Sequence, residues 1–464
     1  MDKLLAISAD GHAVMPPDLW IEYLEPQYHE HLPQLRAENE LWTRTMTLLN
    51  DLQLAPGPAV PGGSYDDFDA ERRYRDGAWS GAWDADVRLR EMDREGIAAE
   101  FVFHGYLRAV DPFFNVSNAN YAPDIAEAGV RAYNRWAHDT FGSHPQRLLL
   151  IGAVGRSIDL ETTMRELEWI ADHGFAGTYM PGFTAHPDQR PLQDARWDPV
   201  WSFCEERGLV IVVHAGYGFE AGLTFEAVRS ADAAVRARGG SDLDLVQELT
   251  SGYFNDSGLF ADLKSRRPFW QLALGGVFDR HPDLRVMLTE IRADWIPSTM
   301  RMLDGVYEEQ RAYVPADRKP SEYWQSNCMA GLSFMHRVEV EMRDEIGVET
   351  MSFGRDYPHT ESTWPNTADY LRTLFAGIPE GDVRAILGEN LARFLRLDRA
   401  GLELLVDRIG FTAEQIIDGG ADLDPGLAAH LDRRCGLSKP PEGGSRLGQV
   451  QPMVEADLAH FGGR

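Results

Sequence analysis

Short apolar runs recur along the chain, separated by segments whose apolar residues stand three to four positions apart. The first pattern predicts buried strands, and the second predicts the helices that cover them. Eight runs have the strand pattern: residues 4–9, 99–104, 148–154, 174–180, 209–214, 284–290, 327–330 and 351–354. Eight strands alternating with helices predict an α/β fold with a closed parallel sheet, the (β/α)8 or TIM barrel.

Helical segments lie between these runs, at residues 84–95, 125–141, 160–173 and 199–207. Three of them end in the same way, with Gly96, Gly174 or Gly208 standing between the helix and the next apolar run. Glycine is favoured there because the residue after a helix often takes a left-handed backbone conformation. The repeated ending supports the barrel prediction.

Two connections, residues 20–82 and 216–268, are much longer than ordinary loops of a compact barrel. Each follows a strand, so each leaves the barrel at the end where barrel enzymes carry their sites. The first of these insertions contains PGPAVPGGS at 56–64, which predicts a flexible segment, and we interpret the second as part of a lid or pocket wall. The predicted barrel domain spans residues 1–400, and residues 401–464 form a C-terminal helical extension. That extension is either an arm that packs on the barrel or on another subunit, or a frayed tail.

The formal net charge of −28 argues against a nucleic-acid partner, because phosphate binding requires a surface rich in Lys and Arg. The three cysteines, Cys204, Cys328 and Cys435, are widely spaced and contain no C-x-x-C pair, which fits a reducing cytoplasm. The apolar stretch before Asp10 is too short for a secretion signal or a membrane span. We therefore expect a cytoplasmic protein with a small-molecule substrate and no membrane partner.

Four residues that can bind a divalent ion stand at predicted strand ends. Asp10 and His12 follow the first strand, and side chains at positions i and i+2 of an extended segment point the same way. His214 ends the fifth strand, and Asp356 follows the eighth. Each alone has a structural explanation, as a turn residue, a barrel-mouth histidine or a helix cap. Together they converge on one mouth of the barrel and predict a metal site.

Several motifs extend this interpretation: SADGH at 8–12, PPDLW at 16–20, DRHPDLRVML at 279–288, DWIP at 294–297, GRDYPH at 354–359 and ILGENLARF at 386–394. In order and spacing they resemble the amidohydrolase superfamily, in the amidohydrolase-2 branch related to aminocarboxymuconate-semialdehyde decarboxylase. The resemblance covers most of residues 4–397. It implies a metal-binding barrel with Asp10, His12, His214 and Asp356 in the ligand positions.

The sequence departs from the family pattern in details that bear on the metal. Many members begin with His-x-His, whereas Asp10 stands first here, and the second carboxylate makes Mn²⁺ or Fe²⁺ competitive with Zn²⁺. The fourth strand lacks the lysine that, carbamylated, bridges two metals in the hydantoinase-like branch. We therefore expect one divalent ion, Zn²⁺ or Mn²⁺, with Fe²⁺ as a further option.

Another departure concerns the reaction. Glu290 stands where decarboxylating relatives carry a catalytic histidine, within Leu-Gly-His-Met-Gly-Glu. It is predicted to be a ligand or a general base, or else a buried acid paired with Arg292 or Arg355. Asp356 is the leading candidate for the general acid or base, and Glu290 or His104, at the end of the second strand, is expected to assist proton transfer.

Three further residues, Tyr217, His359 and Trp364, are predicted to bind substrate or to orient Asp356. We predict first a hydrolase acting on a small aromatic or conjugated amide or carboxylate. The alternative is a non-oxidative decarboxylase of a similar carboxylate, and a second alternative is a non-catalytic ligand-binding barrel. We expect a homo-oligomer, with a dimer favoured.

Overall fold

The fold is seen in a computed structural model of the chain. It describes residues 3–37, 39–40, 43, 69–105, 122–155, 159–182, 190–218, 225–249, 263–333, 335–359, 362–418, 424–434 and 446–461. Parts of both predicted insertions, residues 44–68, 219–224 and 250–262, lie outside these described residues.

A parallel sheet forms the centre of the molecule. Its strands are β1 Ile7–Ser8, β2 His12–Ala13, β3 Ala99–His104, β4 Leu148–Gly152, β5 Gly177–Tyr179, β6 Val210–His214, β7 Val286–Thr289, β8 Cys328–Ser333 and β9 Met351–Gly354. The sheet runs β1-β3-β4-β5-β6-β7-β8-β9, and β2 pairs with the end of β3. Every predicted run contains a strand, and the first strand has two short parts, β1 and β2.

Backbone hydrogen bonds bring the first and last strands together. The amide of Ala9 donates to the carbonyl of Phe353 at 2.8 Å, and the amide of Asp356 donates to the carbonyl of Asp10 at 3.1 Å. The sheet therefore curls into the predicted eight-stranded barrel, and the fold prediction is confirmed. This closure also places the segments that carry Asp10 and Asp356 side by side.

The strands are buried on both faces, as is usual for a parallel sheet covered by helices. Ile7, Phe101 and Met287 belong to a cluster that fills the barrel. Val102 and Ile211 belong to the larger cluster beneath the helices. They point to the other face of the sheet because successive side chains of a strand alternate between its two faces. This double burial explains why the runs appear in the sequence as continuous apolar stretches.

The described α-helices are Trp20–Tyr23, Ala85–Arg94, Pro123–Phe141, Leu160–Asp172, Asp198–Arg207, Phe225–Ala237, Asp242–Leu249, Leu263–Leu274, Val277–Arg280, Ile296–Glu309, Pro320–Asn327, Arg337–Glu341, Arg343–Ile346, Thr367–Phe375, Glu380–Arg384, Asn390–Leu395, Arg399–Ile409, Ala413–Ile417, Pro425–Arg434 and Leu447–Leu458. The four predicted helices are among them. Gly96, Gly174 and Gly208 have φ angles of 70°, 74° and 70°, so they end their helices in the expected left-handed conformation. Within the described residues, no helix is long and apolar enough to cross a membrane.

The C-terminal helix Leu447–Leu458 packs on the helix Leu263–Leu274, which ends the second insertion. Its buried carboxylate, Asp457, accepts hydrogen bonds from Arg267, from the indole of Trp270 at 2.8 Å and from the amide of Gln271 at 3.0 Å. This part of the extension therefore packs on the barrel, which agrees with its interpretation as a packing arm. The domain boundary at residue 400 stays a prediction.

We expect Asp457→Ala to lower the free energy of unfolding by about 3 kcal/mol, because it leaves the buried donors of Trp270 and Gln271 without their acceptor. Urea unfolding monitored by circular dichroism measures the change. Asp457→Asn retains one acceptor oxygen and should lose less. Equal stability of the alanine variant and the parent protein would contradict the anchoring role.

Candidate metal centre

The predicted ligands meet at the carboxyl ends of the barrel strands. The Nε2 atom of His12 lies 3.3 Å from Oδ1 of Asp10 and 3.1 Å from Oδ1 of Asp356. The Nε2 atom of His214 lies 3.6 Å from the same Oδ1 of Asp10. All four side chains are buried. Among the described residues, two sets of donor atoms lie close enough together to share an ion: Asp10, His12 and His214, and His12, Asp356 and His359.

These donor atoms lack hydrogen-bond partners among the described residues. The set comprises Oδ1 of Asp10, Nε2 of His12, Nε2 of His214, and both carboxylate oxygens of Asp356. Buried polar atoms without a hydrogen bond destabilise a fold, so such a group indicates a missing partner. Asp10, His12 and His214 offer donors within 4.8 Å of one another, which is compatible with a shared ion. The residues therefore fit a divalent metal.

Contacts around the ligands fix which atom each presents. Nδ1–H of His12 donates to the carbonyl of His104 at 2.9 Å, which directs Nε2 towards the cluster. The hydroxyl of Ser333, at the end of β8, donates to Oδ2 of Asp10 and leaves Oδ1 facing the histidines. Partners of this kind orient metal ligands and tune their basicity. Ser333 was not predicted from the sequence, although a polar residue at the end of an apolar strand is a usable signal.

Two acidic residues at the site have unusual backbones. Asp356 has a φ of 58° and Glu290 a φ of 60°, in the left-handed region that residues with a side chain seldom occupy. Each such residue costs on the order of 1–3 kcal/mol, and residues of this kind cluster at functional sites. Glu290 comes directly after β7, and Asp356 comes two residues after β9. The left-handed conformation turns the chain away from the direction of each strand at these two residues.

His359 stands next to the predicted ligands, and its donor atom lies within 4.8 Å of donor atoms of His12 and Asp356. Its Nδ1 atom lies 3.2 Å from Oδ2 of Asp356. Its ring is stacked on that of His12, with the centroids 4.2 Å apart and the planes inclined by 19°. Because an imidazole lone pair lies in the ring plane, this stacking is a poor arrangement for two nitrogens that bind one ion. The contact with Asp356 favours the orienting role of His359, and its two predicted roles both stay predictions.

Charges within the cluster shift its proton affinities in opposite directions. Burial raises the pKa of Asp10, but the neighbouring His12 and His214 outweigh it and hold that pKa well below its usual value. Burial lowers the pKa of His12, but the two carboxylates beside it raise the net pKa well above 6.5. The pKa of His214 is likewise raised by Asp10 against the effect of burial. Protons and a metal ion would therefore compete for the nitrogens of His12 and His214.

This competition predicts that metal affinity rises with pH. An ion displaces protons from His12 and His214, whose pKa values both lie above 6.5, so affinity falls as the pH drops through and below those values. Titration of the protein with Mn²⁺, followed by the electron paramagnetic resonance signal of the free ion, measures this. An affinity independent of pH on both sides of 6.5 would contradict binding through these imidazoles.

Comparison with known proteins identifies the family. Residues 12–397 match the amidohydrolase-2 family, described as Amidohydrolase. The chain belongs to this amidohydrolase family. The match covers most of the barrel and three of the four predicted ligands, His12, His214 and Asp356, while Asp10 lies just before it. It confirms the resemblance stated from the motifs.

Relatives and solved structures add detail. The amidohydrolase is 27% identical over 133 residues to γ-resorcylate decarboxylase of Rhodococcus jostii (strain RHA1), and this match covers 28% of the chain and 39% of the relative. The fold is similar to an amidohydrolase from Mycobacterium avium subsp. paratuberculosis K-10 (TM-score 0.58, 20% identity, 85% of this chain and 100% of that one). It is also similar to a dihydroxybenzoic acid decarboxylase from Polaromonas sp. JS666, solved with bound manganese and the inhibitor 2-nitroresorcinol (TM-score 0.52, 18% identity, 86% and 99%).

Glu290 and His104, the other two predicted catalytic residues, both lie near the predicted metal ligands of this amidohydrolase. Oε2 of Glu290 is 3.5 Å from Nδ1 of His214. The ring of His104 lies 4.7 Å from that of Tyr179, and burial holds its pKa well below 6.5. Their catalytic roles stay predictions, and the main visible contribution of His104 is the carbonyl that orients His12.

Two of the residues predicted to bind substrate lie in packed surroundings. The hydroxyl of Tyr217 donates to the carbonyl of Pro181 at 3.0 Å. Trp364 is fully buried against Tyr74 and Tyr357, and its indole N–H donates to Glu91 at 2.8 Å. The structure thus brings His359 to the ligands, whereas Trp364 packs beside the helix Ala85–Arg94. Substrate binding by Tyr217 and Trp364 stays a prediction.

We expect Trp364→Phe to lower the free energy of unfolding by about 1–2 kcal/mol, since it removes the hydrogen bond to Glu91 and part of a buried ring. The metal affinity should stay close to that of the parent. Thermal unfolding and Mn²⁺ titration measure the two quantities. A variant of parental stability that has lost substrate affinity would instead support the substrate-binding role.

Proposed function

We propose that this amidohydrolase is a metal-dependent, non-oxidative decarboxylase of a small aromatic carboxylate. The observation that carries the proposal is the buried group of Asp10, His12, His214 and Asp356 at the barrel mouth, with donor atoms that face one another without hydrogen bonds. From the sequence alone, hydrolysis was the first prediction and decarboxylation the alternative. The named relatives favour the alternative, because γ-resorcylate decarboxylase and the manganese-containing dihydroxybenzoic acid decarboxylase both remove a carboxylate from an aromatic ring.

The four ligands suit Mn²⁺, Zn²⁺ or Fe²⁺, and the two carboxylates favour the harder ions. When bound, such an ion supplies Lewis-acid polarisation of a substrate oxygen. The protein's own part is to hold the ring over the barrel mouth and to exchange a proton. The manganese in the Polaromonas structure makes Mn²⁺ the first ion to test.

Decarboxylation replaces the bond between the ring carbon and the carboxylate with a bond to hydrogen. The carboxylate leaves as CO₂, its bonding electron pair stays on the ring carbon, and one proton must be delivered there. Asp356 is the leading candidate for this proton exchange, and Glu290 is the second. Glu290 is 8% exposed, and its Oε2 atom lies 3.5 Å from Nδ1 of His214, so it lies beside the predicted ligands.

Hydrolysis is the second candidate function, and Glu290 is the observation that favours it. A carboxylate in the place of the family's histidine is well suited to accept a proton from water that attacks an amide or ester. Both functions would use the same metal ligands. They differ in the bond that is broken: decarboxylation breaks the bond between the ring carbon and the carboxylate, whereas hydrolysis breaks an amide or ester bond.

The experiment supplies the Mn²⁺-loaded protein with a panel of hydroxylated benzoates and, separately, with the corresponding amides. Incubation in D₂O should release CO₂ and place deuterium on the vacated ring carbon. Incubation in H₂¹⁸O distinguishes hydrolysis, which incorporates ¹⁸O into the product acid. His214→Ala should be inactive, and Glu166→Gln, a buried carboxylate between two outer helices, is the matched control. ¹⁸O incorporation without CO₂ release would replace the proposal by a hydrolase, and neither product would favour the ligand-binding barrel.

Three finer features belong to the same proposal. We place the protein in the cytoplasm, in keeping with its unpaired, buried Cys204 and Cys328. We expect a homodimer, which size-exclusion chromatography with light scattering tests. We expect a small-molecule substrate in place of a nucleic acid because of the charge of −28.

A further inference from the structure

Directly behind the metal ligands lies a buried chain of three charged residues, Arg88, Glu100 and Arg355, which we call the arginine–glutamate bridge. All three side chains are fully buried. One oxygen of Glu100 accepts hydrogen bonds from Nε of Arg88 at 3.0 Å and lies 2.9 Å from its Nη2. The other oxygen accepts a hydrogen bond from Nε of Arg355. One carboxylate therefore joins two guanidinium groups.

Each arginine is tied to a different ligand segment. Nη1 of Arg88 donates to the carbonyl of His12 at 2.7 Å. Arg355 immediately precedes Asp356, and its own backbone amide donates to Ser8 Oγ at 3.0 Å. Ser8 Oγ in turn donates to the carbonyl of Asp10 at 2.5 Å. The bridge thus spans the two segments whose side chains, Asp10 and His12 on one and Asp356 on the other, meet at the metal centre.

The bridge also packs closely against the backbone of Gly11, which separates Asp10 from His12. A Cβ atom at Gly11 would stand 2.7 Å from Cδ of Glu100 and 2.8 Å from Nη2 of Arg88. The ring of Tyr357 covers the other side, with the guanidinium carbons of Arg88 and Arg355 at 5.2 Å and 4.6 Å from its centre. Little room is left for the bridge to move without moving the ligands.

A buried ion pair is a poor device for stability, because removing two charges from water offsets most of their attraction. Here two positive charges share one negative charge, and Nη1 and Nη2 of Arg355 make no hydrogen bond to any described residue. Apolar residues would fill this space with less loss. The charged groups can instead donate hydrogen bonds in fixed directions, as Arg88 does to the backbone carbonyl of His12.

We infer that the arginine–glutamate bridge is a positioning device that sets the spacing between the Asp10–His12 segment and Asp356, and thereby the affinity and geometry of the metal site. It touches neither the ion nor the substrate, so its residues are positioning residues. The inference rests on the proposed metal site and is independent of the reaction, since it concerns binding of the ion alone.

The test uses the full-length protein with Mn²⁺ and Co²⁺ and needs no substrate. Glu100→Gln keeps the shape of the side chain and removes its charge, so Mn²⁺ affinity should fall about 10–100-fold, as is usual for residues that support metal ligands. The visible absorption of the Co²⁺-loaded protein should also change, because it reports the ligand geometry. Arg88→Lys keeps the pairing charge and the fold, but a single ammonium cannot reach both Glu100 and the His12 carbonyl, so it should show the same loss.

Glu166→Gln is the matched control. It is the same change at a buried glutamate that bonds Asn134 and Arg135, away from the ligand segments. It should lower the thermal midpoint without altering Mn²⁺ affinity or the Co²⁺ spectrum. Parental affinity and spectrum in Arg88→Lys, and in Glu100→Gln where it folds, would overturn the positioning role alone. A parent protein that binds neither ion would overturn the metal site itself, and with it the inference.

Discussion

His214→Ala is expected to weaken Mn²⁺ binding by about 10²–10³-fold. Structural Zn²⁺ sites with four ligands supply on the order of 10–16 kcal/mol, about 3 kcal/mol for each ligand, and this sets the upper scale of the loss for the more weakly bound Mn²⁺. A water molecule that fills the space left by the ring is a weaker ligand than the imidazole nitrogen, whose Nε2 atom faces Oδ1 of Asp10 inside a buried cluster. Isothermal titration with Mn²⁺ measures the affinity, and turnover of any substrate found for the parent should disappear with it.

The control for this variant is His281→Ala. His281 is buried too, but it contacts Asp198 and Glu205 on an outer helix. It should bind Mn²⁺ as the parent does. If His214→Ala also retained the parental affinity while remaining folded, His214 would not be a ligand.

Gly11→Ala is expected to have the second large effect, lowering the free energy of unfolding by about 3 kcal/mol. The added methyl group would overlap the carboxylate of Glu100 and the guanidinium of Arg88, neither of which has space to retreat. Because Gly11 separates Asp10 from His12, Mn²⁺ affinity should fall as well. Urea unfolding and Mn²⁺ titration measure the two losses.

Gly305→Ala provides the comparison. Gly305 lies in the helix Ile296–Glu309, and a Cβ atom there would meet nothing within 4 Å. Alanine should stabilise that helix by about 0.5–1 kcal/mol, since it restricts the unfolded chain more than glycine does. Equal effects at the two positions would show that crowding at Gly11 is not the cause.

The strands and the ligands were accessible to sequence analysis for one physical reason. Both faces of a parallel sheet are buried, so the strands stand out as apolar runs, and polar residues at their ends stand out against them. His214 after Val210–Val213 is the clearest example. Once eight such runs predict a barrel, their ends must meet, and Asp10, His214 and Asp356 come together without further information.

The supporting contacts were not accessible in this way, because they depend on atoms far apart in the chain. Nothing near Glu100 indicates that its carboxylate joins an arginine on the preceding helix to one more than 250 positions later. The stacking of His359 on His12 is equally invisible in a motif. Trp364 shows the same limit: its place in a site motif suggested substrate contact, which stays a prediction, and its hydrogen bond to Glu91 could not be read from the motif.

The reaction was the least predictable feature, because it depends on one carboxylate. Glu290 beside His214 gave weight to hydrolysis in the sequence, whereas the named relatives give weight to decarboxylation. The same metal ligands serve both reactions. Only the product can therefore decide between them, and metal binding has to be established first.

Crystals of the protein grown with Mn²⁺ provide the most direct measurement, through anomalous diffraction at the manganese absorption edge. A single anomalous peak is expected at the barrel mouth, within bonding distance of Asp10, His12, His214 and Asp356. Two peaks at that mouth, a peak elsewhere, or no peak in crystals that contain saturating Mn²⁺ would contradict this expectation.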